Sequence, residues 1–530
     1  MYHNGLCKVL IVGIYFTFIL FPSHVMSAEV SARQDISITS YSVSGNKDQS
    51  FYPEDKLRYL YQGSISFREQ LKEDEGSFYG DIFYRSTDDA LVDVKDMSLE
   101  QFTIGYKDKQ KDFVLGDYFA RFSDYSVNNA LKGAKFEYIF DETTQVTMLA
   151  GVDTTTWEIL WDERKGDGPT KRHVFGNRFQ KIFSPEKPVT VGMNYAFAED
   201  DHAYFTEFDT SKKIHVISTD IRYQIYDTLA LFGDVAQSYR AASTGSGIVY
   251  DDKWDQAYKV GIDLVMRQYI SFLQYSRVGP HFETTSNLNT QDLETFLWNS
   301  TLIPSEGVLV SPYISITRDN LQGLKDTTTR YANEGINLSW QAIDLLTLNA
   351  RFDNRKEDTN DQSTNNRTTT YGIGGMLGTN AFSTILDYAR IARRDNVDSA
   401  QVKDRDDISV SVNMNHTIRS TNISWTLGET FSHERNVKIE GKDIIFIHFA
   451  SINISFPSDF MIRASARFSD NDYHANENDS VTNQYEFSLS KRIDDALTAS
   501  VDCVYNNNDF TDQNNDYNEK KVTAKLTYIF

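Results

Sequence analysis

The chain has 530 residues, 53 Lys and Arg against 75 Asp and Glu, a formal net charge of -22, and two cysteines. A charge of that sign excludes a nucleic-acid footprint, which needs a basic surface. Cys7 and Cys503 cannot make a cysteine metal cluster, and no Cys-x-x-Cys-His run is present for covalent haem, so no cofactor is expected.

In chain order, Lys8 precedes an apolar run from Val9 to Phe21, Pro22 breaks the run, and small residues follow at Ser27 and Ala28. This pattern reads as a secretory signal peptide over residues 1–28, cleaved after Ala28. No later stretch offers the roughly 18 consecutive apolar residues that a helical span requires. Residues 29–530 can therefore cross a membrane only as a closed sheet. The mean hydropathy of -0.47 agrees with that, because half of each barrel strand faces water. The aromatic residues are mostly 30 Tyr and 34 Phe, types that strands and interfacial girdles favour.

The N-terminal part is the less regular, with candidate strands at 35–44, 57–68, 77–85, 98–107, 112–119, 132–140 and 144–152. From residue 172 onward the alternation becomes strict. Val189, Val191, Met193, Tyr195 and Phe197 interleave with Thr190, Gly192, Asn194 and Ala196, and Phe460, Ile462, Ala464, Ala466 and Phe468 interleave with Met461, Arg463, Ser465 and Arg467. A helix would place apolar residues three and four apart, so these segments read as strands. Nineteen such strands follow between 172 and 530, joined alternately by tight turns such as Tyr226 to Thr228 and long connections such as Arg240 to Lys253, Asn354 to Arg367 and Asn506 to Glu519. The expectation is an all-β fold: a transmembrane, antiparallel, up-and-down barrel of about 26 strands (22–26) over 29–530, without a separate soluble domain. Within it, Leu115 to Lys132 reads as a strand, a bend or an inward-folded constriction.

Charged residues recur on the polar faces of these strands, which suits a water-filled lumen better than a sandwich core. The candidate pore-lining residues are Asp220, Arg222, Lys259, Asp263, Arg351, Asp353, Arg463, Arg467, Lys521 and Lys525, with Asp387, Glu486 and Asp502 beside them. Near balance of sign implies weak overall ion selectivity, with a more positive wall around 463 and 525. The alternative reading is a set of lateral ion pairs that brace the wall. No His-Glu-x-x-His, Gly-x-Ser-x-Gly or phosphate-binding glycine loop occurs, so neither an enzyme nor a metal site is expected.

In the last ten residues Val522, Ala524, Leu526, Tyr528 and Phe530 share one strand face, while Lys521, Thr523, Lys525 and Thr527 share the other. This segment resembles the C-terminal strand of Gram-negative outer-membrane β-barrels. The resemblance implies that Leu526, Tyr528 and Phe530 form an assembly signal, read by barrel-assembly machinery, in a protein surrounded by outer-membrane lipid. A porin-like channel for small solutes or ions is the leading expectation. Two alternatives stand beside it: a structural sheath around a lumen-occupying protein such as a multihaem cytochrome, and a surface adhesin or receptor.

Overall fold

The structure is a computed structural model. It describes residues 29–530 except for 51–54, 72–75, 91, 94–96, 155–156, 161–170, 185, 202–209, 245–248, 287–290, 380, 439–440 and 474–478. The signal-peptide expectation for 1–28 lies outside the described residues.

Period-two alternation becomes backbone pairing throughout. The strands are β1 (Glu29–Gly45), β2 (Leu57–Gln70), β3 (Ser77–Thr87), β4 (Met97–Lys107), β5 (Lys111–Arg121), β6 (Asn128–Asp141), β7 (Thr144–Asp153), β8 (Arg172–Phe183) and β9 (Val189–Asp200). Then come β10 (Thr210–Tyr226), β11 (Leu229–Thr244), β12 (Val249–Met266), β13 (Tyr269–Val278), β14 (Leu293–Ser305), β15 (Val308–Asp319), β16 (Thr329–Ile343), β17 (Leu346–Thr359) and β18 (Asn365–Gly378). The last are β19 (Phe382–Asp395), β20 (Lys403–Ile418), β21 (Thr421–Asn436), β22 (Lys442–Ser455), β23 (Phe460–Tyr473), β24 (Ser480–Arg492), β25 (Leu497–Phe510) and β26 (Tyr517–Ile529). Each strand pairs antiparallel with its neighbours in sequence, and β26 pairs with β1 from Arg33↔Ile529 to Gly45↔Tyr517, so the 26-stranded sheet is closed. Closure removes every sheet edge. Among the described residues no separate soluble domain accompanies the barrel.

Connections at the two ends differ. At the end that holds both Glu29 and Phe530, turns such as Arg419-Ser420 take two residues. Both have positive φ (49° and 68°), as a tight hairpin turn requires. Connections at the opposite end are mostly longer, but several are shorter than the sequence suggested. The Arg240 to Lys253 loop shrinks because β11 runs to Thr244 and β12 begins at Val249; likewise β17 runs on to Thr359 and β25 to Phe510. Residues 354–359 and 506–509 are polar on both faces, so alternation fades there while the hydrogen-bond ladder continues, and in β11 the extension begins with two alanines, Ala241 and Ala242, that mark neither face.

Cross-strand partners share a face, so register fixes which side chains point inward. Ser218 on β10 touches a loop inside the lumen, and the register Ser218↔Ala236↔Ala257↔Val278↔Leu293 carries the inner face around the wall. The other face carries Met193, Ile217, Val235, Val260, Ile373, Leu427, Val501 and Leu526, all well exposed. The barrel is therefore apolar outside over most of its girth.

One seam in the wall is short. β4 and β5 pair only from Thr103↔Gly116 to Lys107↔Asp112. Gly116 has φ +113°, and a Cβ there would lie 2.0 Å from the Phe102 carbonyl oxygen, so only glycine fits the bend at which β5 leaves β4. Beyond it, side chains replace the missing ladder. The Asp117 carboxylate accepts hydrogen bonds from the Phe102 backbone N–H (2.7 Å), Trp157 Nε1 (2.7 Å) and Lys132 Nζ (2.5 Å). Trp157 also meets Phe102 edge-on at 5.7 Å.

Candidate functional site

The Leu115 to Lys132 segment divides in the structure: its two ends belong to β5 and β6, and the connection 122–127 lies against the inner wall. Arg178 on β8 donates to the Phe122 carbonyl (2.6 Å), and the same guanidinium holds Asp220 (2.6 and 2.9 Å) and the Asn194 amide oxygen (2.8 Å). The hydroxyls of Ser123 and Ser218 share a hydrogen bond of 3.1 Å, and the Tyr125 hydroxyl donates to the Tyr258 carbonyl at 3.3 Å. Asp124 forms an ion pair with Lys259. Ser218 is the middle residue of the 17 in β10, so the loop meets the wall halfway along the strand.

A second connection joins it. Residues 279–286, between β13 and β14, bring Phe282 edge-on to Tyr125 at 5.8 Å, and Thr285 Oγ1 donates to the Ser126 carbonyl at 2.9 Å. Phe282, Thr285 and Val127 are each 0% exposed. Glu283 anchors the second loop: its carboxylate accepts from Lys212 Nζ (2.8 Å) and Arg240 Nη1 (2.9 Å), and its backbone N–H donates to Ser238 Oγ (3.2 Å). Burial alone would raise the Glu283 carboxyl, yet the two cations hold it below the usual value of 4.5. Asp124 behaves alike: Lys259 and Arg121 outweigh burial and hold it below 3.8.

The wall beneath the loops suits this packing. Ala196, Ala198, Val216, Ala236 and Ala257 are small or medium apolar residues on the inner face, and they join Tyr118, Phe122, Tyr125, Val127, Leu131 and Phe282 in one buried cluster inside the barrel. A packed core thus fills one side of the lumen. On the other side, β16 to β26, most inner-face residues are polar and partly exposed, with Ile445, Ile447 and Phe449 on β22 an apolar exception and Ser432 and Asn508 buried.

The ten candidate pore-lining residues fall into three groups. Asp220 and Lys259 are loop anchors. Arg222 pairs with Asp263 at 2.7 Å, Arg351 with Asp353 at 3.3 Å, and Lys525 with Asp35 at 3.3 Å, while Lys521 lies 5.9 Å over the Tyr41 ring. Arg463 and Arg467 are exposed on the inner face of β23, and neither makes an ion pair among the described residues. Arg463 borders a polar cleft of about 460 Å³ with Asn453, Ser465, Glu486, Ser488 and Asp502. A second cleft of about 470 Å³ has Arg351 and Asp387 over a floor of Gly372 and Gly374. Leu526, Tyr528 and Phe530 are 41–43% exposed on the outer face.

Sequence reasoning missed Arg178, Glu283, Phe282 and Arg240. One signal for them was legible: Tyr195-Ala196-Phe197-Ala198 is apolar on both faces, so something other than water covers its inner side. No group of three or more potential metal ligands occurs among the described residues.

No protein-family model and no curated protein matches the chain. Solved structures that superpose include the siderophore receptor PirA from Pseudomonas aeruginosa, with TM-score 0.43, 7% identity, 95% of this chain and 80% of that one. The outer membrane transporter YddB from Escherichia coli gives TM-score 0.44 and 7% identity, over 94% of this chain and 80% of that one. OccAB4 from Acinetobacter baumannii gives TM-score 0.27 and 9% identity, over 95% and 99%. Likenesses at this level carry no weight for function, which rests on the geometry of the barrel itself.

Proposed function

We propose that the chain is an outer-membrane channel for passive passage of small solutes or ions, narrowed from within by its own loops 122–127 and 279–286. The observation that carries this reading is the contrast across the lumen. One side is filled by a packed core that buries Phe282 and Val127 completely, and the other presents mostly polar, partly exposed side chains along β16 to β26. An open barrel of 26 strands would exceed the aqueous channels of 16–18-stranded porins. Loops docked halfway along the wall reduce that bore without a separate plug domain. The outer-face apolar residues supply the belt that a bilayer requires.

The same contrast favours the channel over the sheath, because part of the space a lumen-occupying protein would need is taken by the chain itself. Liposome swelling tests the proposal. Proteoliposomes should admit ions and small neutral solutes and exclude larger ones. Impermeability to all of them would refute it.

A further inference from the structure

The outer face of β21 and β22 breaks its own pattern. Glu429 lies between Leu427 and Phe431 on that face, and its cross-strand partner His448 lies between Phe446 and Ala450. The flanking strands place Val410 beside Glu429 and Phe468 beside His448. Glu429 Oε1 and His448 Nδ1 are 3.1 Å apart, and the two side chains are 67% and 48% exposed. Register confirms the face: Asp353↔Thr370, Ile391↔Arg405 and Arg405↔Glu434 follow the inner side, and Glu429 is an odd number of residues from Glu434. Towards the turn between β22 and β23 the face continues apolar through Leu427, Trp425, Ile452 and Ile454, whereas towards the other end only the row of Phe431 and Phe446 separates the pair from His433, and Phe446 already faces Asp470, so the pair lies one row inside the edge of the apolar band.

Acyl chains offer no hydrogen-bond partner, and an ionisable residue in that band is costly unless something polar meets it. The pair satisfies one oxygen and one nitrogen; among the described residues the second carboxylate oxygen of Glu429 and Nε2 of His448 have no partner. Beside the pair, Ala450 and Ala466 face each other across β22 and β23 and, with Leu427, Phe468 and Tyr485, line a depression of about 360 Å³. Small residues there allow another surface to approach closely.

We propose that this face is the interface between two copies of the chain related by a two-fold axis. Glu429 of each copy meets His448 of the other, and the Ala450–Ala466 depressions abut. A two-fold contact requires a self-complementary patch, and an acid beside a base supplies one: each copy offers the acceptor that the other's donor needs. Aromatic Phe468 and Tyr485 give the contact its apolar border. The proposal rests on the reading of the outer face as lipid-facing.

Reciprocal charge exchange tests it, with the mass of the full-length barrel in mild detergent measured by light scattering. The wild type should carry two chains. Glu429→His alone and His448→Glu alone should each give single chains that keep the heat-dependent gel mobility of a folded barrel. Co-expression of the two variants should restore the two-chain species, because His-bearing and Glu-bearing faces then meet, and the double swap in one chain should restore it too. A wild-type single chain, single variants that remain paired, or failure of co-expression to restore pairing would each overturn the proposal while leaving the lipid-facing reading intact. A barrel that stays dissolved without detergent would overturn that reading instead.

Discussion

Ala32 and Phe530 close the barrel by exchanging two backbone hydrogen bonds: the Ala32 N–H donates to the Phe530 carbonyl at 2.7 Å, and the Phe530 N–H donates to the Ala32 carbonyl at 2.9 Å. They are the outermost rungs of the β1–β26 ladder, and the Tyr528 and Phe530 rings meet 5.5 Å apart on the outer face. Replacing Tyr528 and Phe530 with Ser keeps the rungs but removes the apolar surface that should hold the last strand in the bilayer. Most of the heat-modifiable barrel should be lost from the outer membrane while unassembled chain accumulates. Wild-type levels of assembled barrel would contradict this.

The orientation follows from the two kinds of connection. A tag after Asp361, in the β17–β18 connection, should be labelled on intact cells, and a tag after Ser458, in the β22–β23 turn, should be protected. Labelling of Ser458 with protection of Asp361 would invert the barrel.

Phe282 holds the two lumen loops together by packing, since it is completely buried against Tyr125 and the wall. Phe282→Ala removes that contact at a cost of about 3 kcal/mol, roughly a hundredfold in the ratio of docked to undocked loop. Single-channel records of the variant should show larger or noisier conductance, with the barrel itself still assembled. Unchanged conductance would mean that the loop does not limit flow.

Acid should act in the same direction. Glu283 and Asp124 have carboxyls held below 4.5 and 3.8 when docked, so the docked state binds fewer protons than the undocked one. Docking is therefore fully supported above the ordinary carboxylate values, and that support is lost as pH falls through the lowered ones. Conductance should rise reversibly as pH falls below the ordinary carboxylate values of 4.5 and 3.8, and Glu283→Gln should shift part of that rise to neutral pH. A fall in conductance over the same range would contradict the anchoring role.

The fold was legible because membrane strands announce themselves twice, by alternation such as Val189 to Phe197 and by the beat of short and long connections. Strand ends were less legible: Asn354 to Thr359 is polar throughout, and nothing in its side chains marks the ladder with β16. The lumen was legible only in part. Lys259 and Asp220 are inward-facing charges whose partners Asp124 and Arg178 are distant in sequence, and a single chain does not display such pairings. The second loop was hidden for the same reason, because Glu283 looks like any acidic loop residue until Lys212 and Arg240 are placed beside it.

The most direct measurement compares single-channel conductance of the wild-type barrel with that of a variant in which residues 122–127 are replaced by a short Gly-Ser linker, both in planar bilayers. The wild type should conduct stably at a level comparable to 16–18-stranded porins, and the variant should conduct markedly more. A wild-type conductance that is absent, or as large as the variant's, would contradict a channel narrowed by its own loops.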